Sequence, residues 1–300
     1  MSGYIETTRE VGERIDREVA RYLQTGDYDS FHAAWPSYSL LDRATEMCRR
    51  LTDALVAEVR LRARGRQQFR LPEGFETVVL ARQKLSPMVN GLFPAKERQT
   101  ILDVLKESVV FLHHDNFEEV LRNERWQNTA WELANLYLGS IGAPCLDGKP
   151  CRLVGMSCGT TCYIAMTYFD VDDPFADFVI HEAAHVFHNW KRKRVGLPHT
   201  RHREWLLPID FCKRETFAYA CEAYGRILEQ AKNPAGRRLL HAEYAEKWVP
   251  AVEDRVDRSE LADIVGEAVE SRNGWKRILA RCAPPGRVFR GHRTGEPKKD

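Results

Sequence analysis

The sequence predicts an α+β fold that is mainly α: a small β-sheet and a C-terminal helical lobe, preceded by a helical N-terminal region. Three observations lead there. Apolar residues recur at three- and four-residue spacing through most of the first 140 residues. Composition shifts after Gly142, where APCLDGKPCRLVGMSCGTT is rich in Gly, Pro, Cys and Thr, as turns and short strands are. Helical spacing resumes at Pro174 and holds to about Cys282. The expected division is a helical region over 1–140, a core over 141–282 and a flexible basic tail over 283–300.

Taken in order, Val11, Ile15, Val19 and Tyr22 make one face of a first helix, and Gly26 is its natural stop. A second helix is expected from Ser39 to Arg64, before Gly65. Pro94 suits the first turn of another, where its missing N–H costs nothing, continuing through Ile101, Leu105 and Val109. Trp126 to Leu138 is a further helix, ended by Gly139. The short, β-prone run Cys162–Phe169 (CYIAMTYF) reads as a strand. No internal repeat is visible.

With 300 residues, 43% hydrophobic and 29% charged, the chain has the balance of a globular protein rather than a disordered one. A net charge of only +2 gives no ground for a nucleic-acid or membrane partner. The N-terminal stretch mixes acids and bases without an apolar core, so it is no secretory signal, and no run is long and apolar enough to span a bilayer. The expected location is therefore the cytoplasm, where disulfides are a poor default. Cys145, Cys151, Cys158 and Cys162 fall close together but lack C-x₂-C knuckles. A second zinc there is possible on ligand chemistry, and reduced thiols packed near the strand are the favoured reading. The basic run Lys191–Arg194 is expected to close a helix, where the dipole's negative end favours cations.

The chemistry concentrates in DDPFADFVIHEAAHVFHNWKRKR. Asp173 is the expected cap and Pro174 the expected first residue of a helix. On it Ala176, Val179, Ala183, Val186, Phe187 and Trp190 share an apolar stripe, while Asp177, His181, His185 and His188 lie opposite, facing a cleft or solvent. His181 and His185 are four residues apart, so both imidazoles can address one metal ion from a single turn. Glu182 projects beside that pair, placed to take a proton from water activated by the metal rather than to bind it. His188 shares a face with His181 but stands two turns along, about 10.5 Å at the helical rise. It is expected to be a cleft-side or solvated residue rather than a ligand.

The segment VIHEAAHVF resembles the signature of the zincin metallopeptidases. That resemblance covers about residues 160 to 230. It implies one catalytic Zn²⁺ held by His181 and His185, Glu182 as general base, and an upstream strand lining the substrate cleft, where Cys162–Phe169 would serve. The metzincin continuation fails, because His188 and Lys191 stand where it needs glycine and histidine. The gluzincin version takes a Glu from a later helix. In KRETFAYACEAYGRIL, on a helix expected from Ile209 to Gln230, Phe217, Cys221, Tyr224 and Leu228 form the apolar face, with Glu215 and Glu222 opposite. Glu215 is the favoured third ligand, with Glu222, Asp210 and Glu204 as alternatives. The acid that often follows the gluzincin Glu by four positions is replaced by Tyr219, so Asp177 or Glu222 would have to orient the first histidine. His199, His202, Tyr219, Tyr224, His241 and Tyr244 are unassigned candidates for stabilising an oxyanion.

The resemblance thus implies peptide-bond hydrolysis on a peptide or protein substrate. A non-catalytic zinc-containing binding or regulatory module, and a zinc hydrolase acting on a non-peptide amide, remain alternatives.

Overall fold

The computed structural model describes residues 8–37, 39–151, 153–200, 203–248 and 256–285. Among them are eleven α-helices and one small sheet of three strands, a mainly helical α+β architecture. The chain divides into two compact units, one made from the described residues of 1–85 and 103–172, the other from those of 86–102 and 173–300.

In the first unit, α1 (Thr8–Thr25) packs on α2 (Leu40–Ala63). Ser39 caps α2 by accepting the Asp42 N–H at 3.4 Å, and Gly65 follows its end at φ +72°. Gly26, which stops α1, is required twice over. It holds φ +76°, and a Cβ there would lie 2.9 Å from the Trp131 ring. Helices α3 (Thr77–Leu92) and α4 (Ala95–Ser108), whose residues 86–102 count with the second unit, follow, then α5 (Phe117–Asn123) and α6 (Gln127–Ser140). Both α5 and α2 pack on α6 around a core that includes Leu51, Leu55, Leu133 and Tyr137.

Two expectations for this unit change. The helix opened by Pro94 ends at Ser108, and Val109 begins strand β1 (Val109–Leu112) instead of continuing it. The reason is a partner far along the chain: β1 pairs in parallel with β3 (Thr161–Ala165), Val109 opposite Cys162 and Leu112 opposite Ala165. On its other edge β3 meets β2 (Gly155–Cys158) in antiparallel, through the turn at Gly159, which takes φ +57°. The strand expected over Cys162–Phe169 is therefore shorter. Its last part, Met166–Asp170, is a 3₁₀ turn in which Phe169 stacks on Phe111 with centroids 5.3 Å apart. The sequence reading also left out α3, which carries Pro87 inside it.

The second unit holds α7 (Phe178–Asn189), α8 (Arg214–Gln230), α9 (Pro234–Glu243), α10 (Arg258–Glu270) and α11 (Gly274–Cys282). α7 lies along α8, which also packs on α10 and α11. Phe217, Ala218, Ala220, Cys221 and Ile227 of α8 are fully buried, and a side chain the size of Phe contributes roughly 1.5–3 kcal/mol in such a position. The close approach of α7 and α8 depends on Gly225, where a Cβ would come within 2.7 Å of Ile180 Cδ1. Lys191–Arg194 is not the end of a helix. α7 stops at Asn189, Lys191 pairs with Trp205 in a β-bridge, and Arg192 opens a 3₁₀ turn. Arg192 is fully buried because Glu97, itself 2% exposed at the side chain, pairs with it at 2.6 Å. Residues 286–300 of the expected tail lie outside the described residues. Among the described residues no helix is long and apolar enough to cross a membrane.

Candidate metal centre

α7 begins one turn later than its sequence suggests. Asp173 accepts the Phe175 N–H at 2.8 Å in a turn upstream, and Asp177, not Asp173, is the cap, accepting the Ile180 N–H at 3.3 Å. A tertiary bond decides between the two acids. The Asp177 N–H donates to Glu222 Oε1 of α8 at 2.7 Å, which holds Asp177 in an extended conformation before the first helical turn.

The histidine face of α7 is also not solvated. Asp177, His181, Glu182, His185 and His188 are all buried, as are Val179, Ala183, Val186 and Phe187 on the other side. A polar helix face buried in this way must find partners inside the protein, and Asp177, His181 and His185 find theirs on α8.

Three donor atoms converge. His181 Nε2 and His185 Nε2 are 3.3 Å apart, and Glu215 Oε2 lies 3.5 Å from His185 Nε2 and 3.8 Å from His181 Nε2. Among the described residues, His181, His185 and Glu215 form the one group of His, Cys, Asp or Glu side chains able to hold a metal ion. Tetrahedral ligands at zinc's usual distance of about 2.0–2.1 Å stand about 3.3–3.4 Å from one another. The donor triangle is close to one face of that tetrahedron. Helical geometry accounts for it: a spacing of four residues brings the two imidazoles together, and Glu215 sits in the first turn of α8 where the two helices run side by side.

Glu222 supplies the orienting acid. Its Oε2 accepts from His181 Nδ1 at 3.0 Å, which fixes the ring and turns Nε2 toward His185 and Glu215. The acid thus stands seven residues beyond Glu215, two turns along α8 and buried, rather than pointing away from the core. At the four-residue position Tyr219 packs its ring edge-on against His181, centroids 4.5 Å apart.

The charges follow from this packing. Burial is the largest influence on His181 and lowers its pKa, but hydrogen bonds to Glu215 and Glu222 more than offset it and hold the imidazole up at about 10. Hydrogen bonds from His181 and His185 hold the Glu215 carboxyl well below the usual range. His188 goes the other way: burial first, then the positive fields of His185 and Arg214, bring it down to about 3, so its imidazole is neutral. Glu182, next to His181 in the chain and 6% exposed, is near enough for its charge to act on that ring.

The remaining candidates are not members of the metal group. Glu204 is paired with Lys191 at 2.6 Å, and Asp210 caps a 3₁₀ turn by accepting the Cys212 N–H at 2.9 Å. Tyr224 packs on Trp275, His241 Nε2 lies 3.0 Å from the Ala262 carbonyl oxygen, Tyr244 is buried against Phe175, and His199 is exposed. His202 lies outside the described residues. Cys145, Cys151, Cys158 and Cys162 are free thiols and do not form a metal group. Cys158 lies 3.8 Å from Thr129 Oγ1, Cys145 as far from the Asn135 carbonyl, and burial pushes both thiols up.

Two further residues neighbour the group. His188, expected at the cleft or in solvent and not as a ligand, is buried beside His185 and outside the metal group, and nothing in the sequence points to Arg214, one residue before Glu215. No motif marks an arginine in that position. No protein-family model matches the chain, and no curated protein or solved structure matches it.

Proposed function

We propose that this chain is a zinc-dependent hydrolase of peptide bonds, of the zincin and gluzincin-like type, in which His181, His185 and Glu215 hold the ion and Glu182 is the general base. The triangle of donor atoms, with edges of 3.3, 3.5 and 3.8 Å, carries the reading. Three protein ligands leave a fourth tetrahedral position open, the arrangement of catalytic rather than structural zinc. When bound, zinc supplies the Lewis acidity that makes water a nucleophile near neutral pH and polarises a carbonyl. The chain's own residues do the rest. Glu222 keeps the His181 proton on Nδ1, so that Nε2 offers its lone pair. Glu182, adjacent to one ligand but outside the triangle, accepts the proton of the attacking water and delivers it to the departing nitrogen. A peptide or protein substrate, the cytoplasmic setting and the lack of a nucleic-acid or membrane partner belong to the same proposal.

The test is cleavage of a panel of unstructured peptides by the wild type and by Glu182→Gln, with and without a chelator. Chelator-sensitive cleavage that falls at least about a hundredfold in the variant, with metal retained, is the expected result. Undiminished cleavage by Glu182→Gln would remove Glu182 from the mechanism. A zinc-loaded chain that hydrolyses only non-peptide amides, or nothing, would move the assignment to one of the two alternatives.

A further inference from the structure

Beside the metal group lie two buried nitrogen atoms that find no hydrogen-bond partner among the described residues. His188 follows His185 by three residues on α7, and the two rings meet edge-on with centroids 5.4 Å apart. It is 6% exposed, and its Nδ1 is buried without a hydrogen-bond partner among the described residues. Arg214 immediately precedes Glu215 as the first residue of α8, and its Nε is likewise buried and unpartnered. The guanidinium carbon lies over the Phe211 ring, 4.8 Å from its centroid. His188 thus touches one member of the metal group, and Arg214 is bonded through the backbone to another.

Native proteins leave few buried polar groups unsatisfied, because each costs roughly 1–3 kcal/mol. Two of them flanking one metal group, one three residues after a ligand and the other one residue before a ligand, point to an acceptor that arrives with the substrate. Its chemistry is constrained. It must answer the positive charge and planar fork of N–H donors of Arg214, and it must also meet an imidazole nitrogen, His188 Nδ1. A carboxylate does all three through two oxygens on one anionic, planar group, whereas an amide carbonyl leaves the charge unanswered.

We propose that Arg214 and His188, the latter donating from Nδ1, form a carboxylate-binding subsite next to the metal group, and that it anchors the substrate by a carboxylate close to the scissile bond. This rests on the hydrolase reading above. The carboxylate has two sources: the free C-terminus of a peptide, which makes the action that of a carboxypeptidase, or an internal Asp or Glu side chain, which makes it that of an acid-selective endopeptidase.

The experiment has a binding arm and a cleavage arm, both on the full chain. In the first, N-acetyl amino acids and their amides are titrated by calorimetry into wild type, Arg214→Gln and Arg214→Lys, zinc-loaded and metal-free. The zinc-loaded wild type is expected to bind the acids at least about tenfold more tightly than the amides. Arg214→Gln should lose most of that preference while binding amides as the wild type does, and Arg214→Lys should recover only part of it. Preference remaining in Arg214→Gln measures what the ion itself contributes. In the cleavage arm, one peptide is offered with a free C-terminus, with a C-terminal amide, and with the amide plus an internal Glu. Loss of cleavage on amidation selects the first source, and rescue by internal Glu the second. Equal binding of acids and amides by the wild type, or an unchanged preference in Arg214→Gln, would overturn the subsite. A zinc-loaded chain that cleaves no peptide would overturn the hydrolase reading instead, and the binding arm would still decide the subsite.

Discussion

Glu222 offers the sharpest perturbation of the site, because it satisfies two buried donors at once. Oε1 accepts the Asp177 N–H at 2.7 Å and Oε2 accepts from His181 Nδ1 at 3.0 Å. Glu222→Gln preserves size and burial but has only one acceptor atom. If its NH₂ faces Asp177, two donors confront each other in a buried site, at roughly 1–3 kcal/mol. If its NH₂ faces His181, Nδ1 must become the acceptor, and the ring's proton moves to Nε2. That is the nitrogen 3.3 Å from His185 Nε2, and once protonated it cannot ligate. Either outcome weakens the metal site, and loss of such an orienting carboxylate lowers metal affinity by about 10–100-fold, or roughly 1.4–2.7 kcal/mol. The assay is competition for zinc against a chelator of known affinity, with circular dichroism to establish that the variant is folded. A folded Glu222→Gln within about threefold of wild-type affinity would refute the claim that this carboxylate sets the His181 tautomer.

Two further outcomes follow from the same geometry. Gly225→Ala places a methyl group within 2.7 Å of Ile180 Cδ1, so it should destabilise by about 1–3 kcal/mol and weaken zinc binding, since Ile180 directly precedes His181. Ile180→Val removes the obstructing atom, so the double variant should recover most of the loss in denaturant melts; no recovery would contradict the close-approach argument. Zinc affinity should also rise with pH. Hydrogen bonds to Glu215 and Glu222 outweigh burial and keep metal-free His181 protonated up to about 10, so an incoming ion must displace that proton. For one proton released, affinity grows about tenfold per pH unit from about pH 6 to about pH 8, and a flat profile in the same competition assay would count against it.

Much of this arrangement is legible in the residues, and the parts that are not share a cause. The bounds of α2 are legible because both its signals are local, Ser39 at the start and Gly65 just past the end. His181, His185 and Glu215 come together as read because two are fixed by helical spacing and the third sits in the first turn of the neighbouring helix. β1 was hidden because Val109–Leu112 is four apolar residues directly following a helix, and only a partner some fifty residues away makes it a strand. The start of α7 is not legible for a similar reason. Asp173 and Asp177 are equally good caps locally, and a bond from α8 chooses between them. Glu222 is named with Asp177 as a candidate to orient His181, and the residues alone do not choose, since periodicity cannot say that a polar face will be buried against another polar face. α3 was lost because Pro87 and the β-branched start Thr77-Val78 speak against a helix that tertiary packing nonetheless maintains.

The most direct measurement is the zinc content of the purified full chain beside that of His181→Ala prepared identically. The account predicts about one zinc per chain in the wild type and none in the variant. No zinc in the wild type after reconstitution, or zinc retained by His181→Ala, would contradict it.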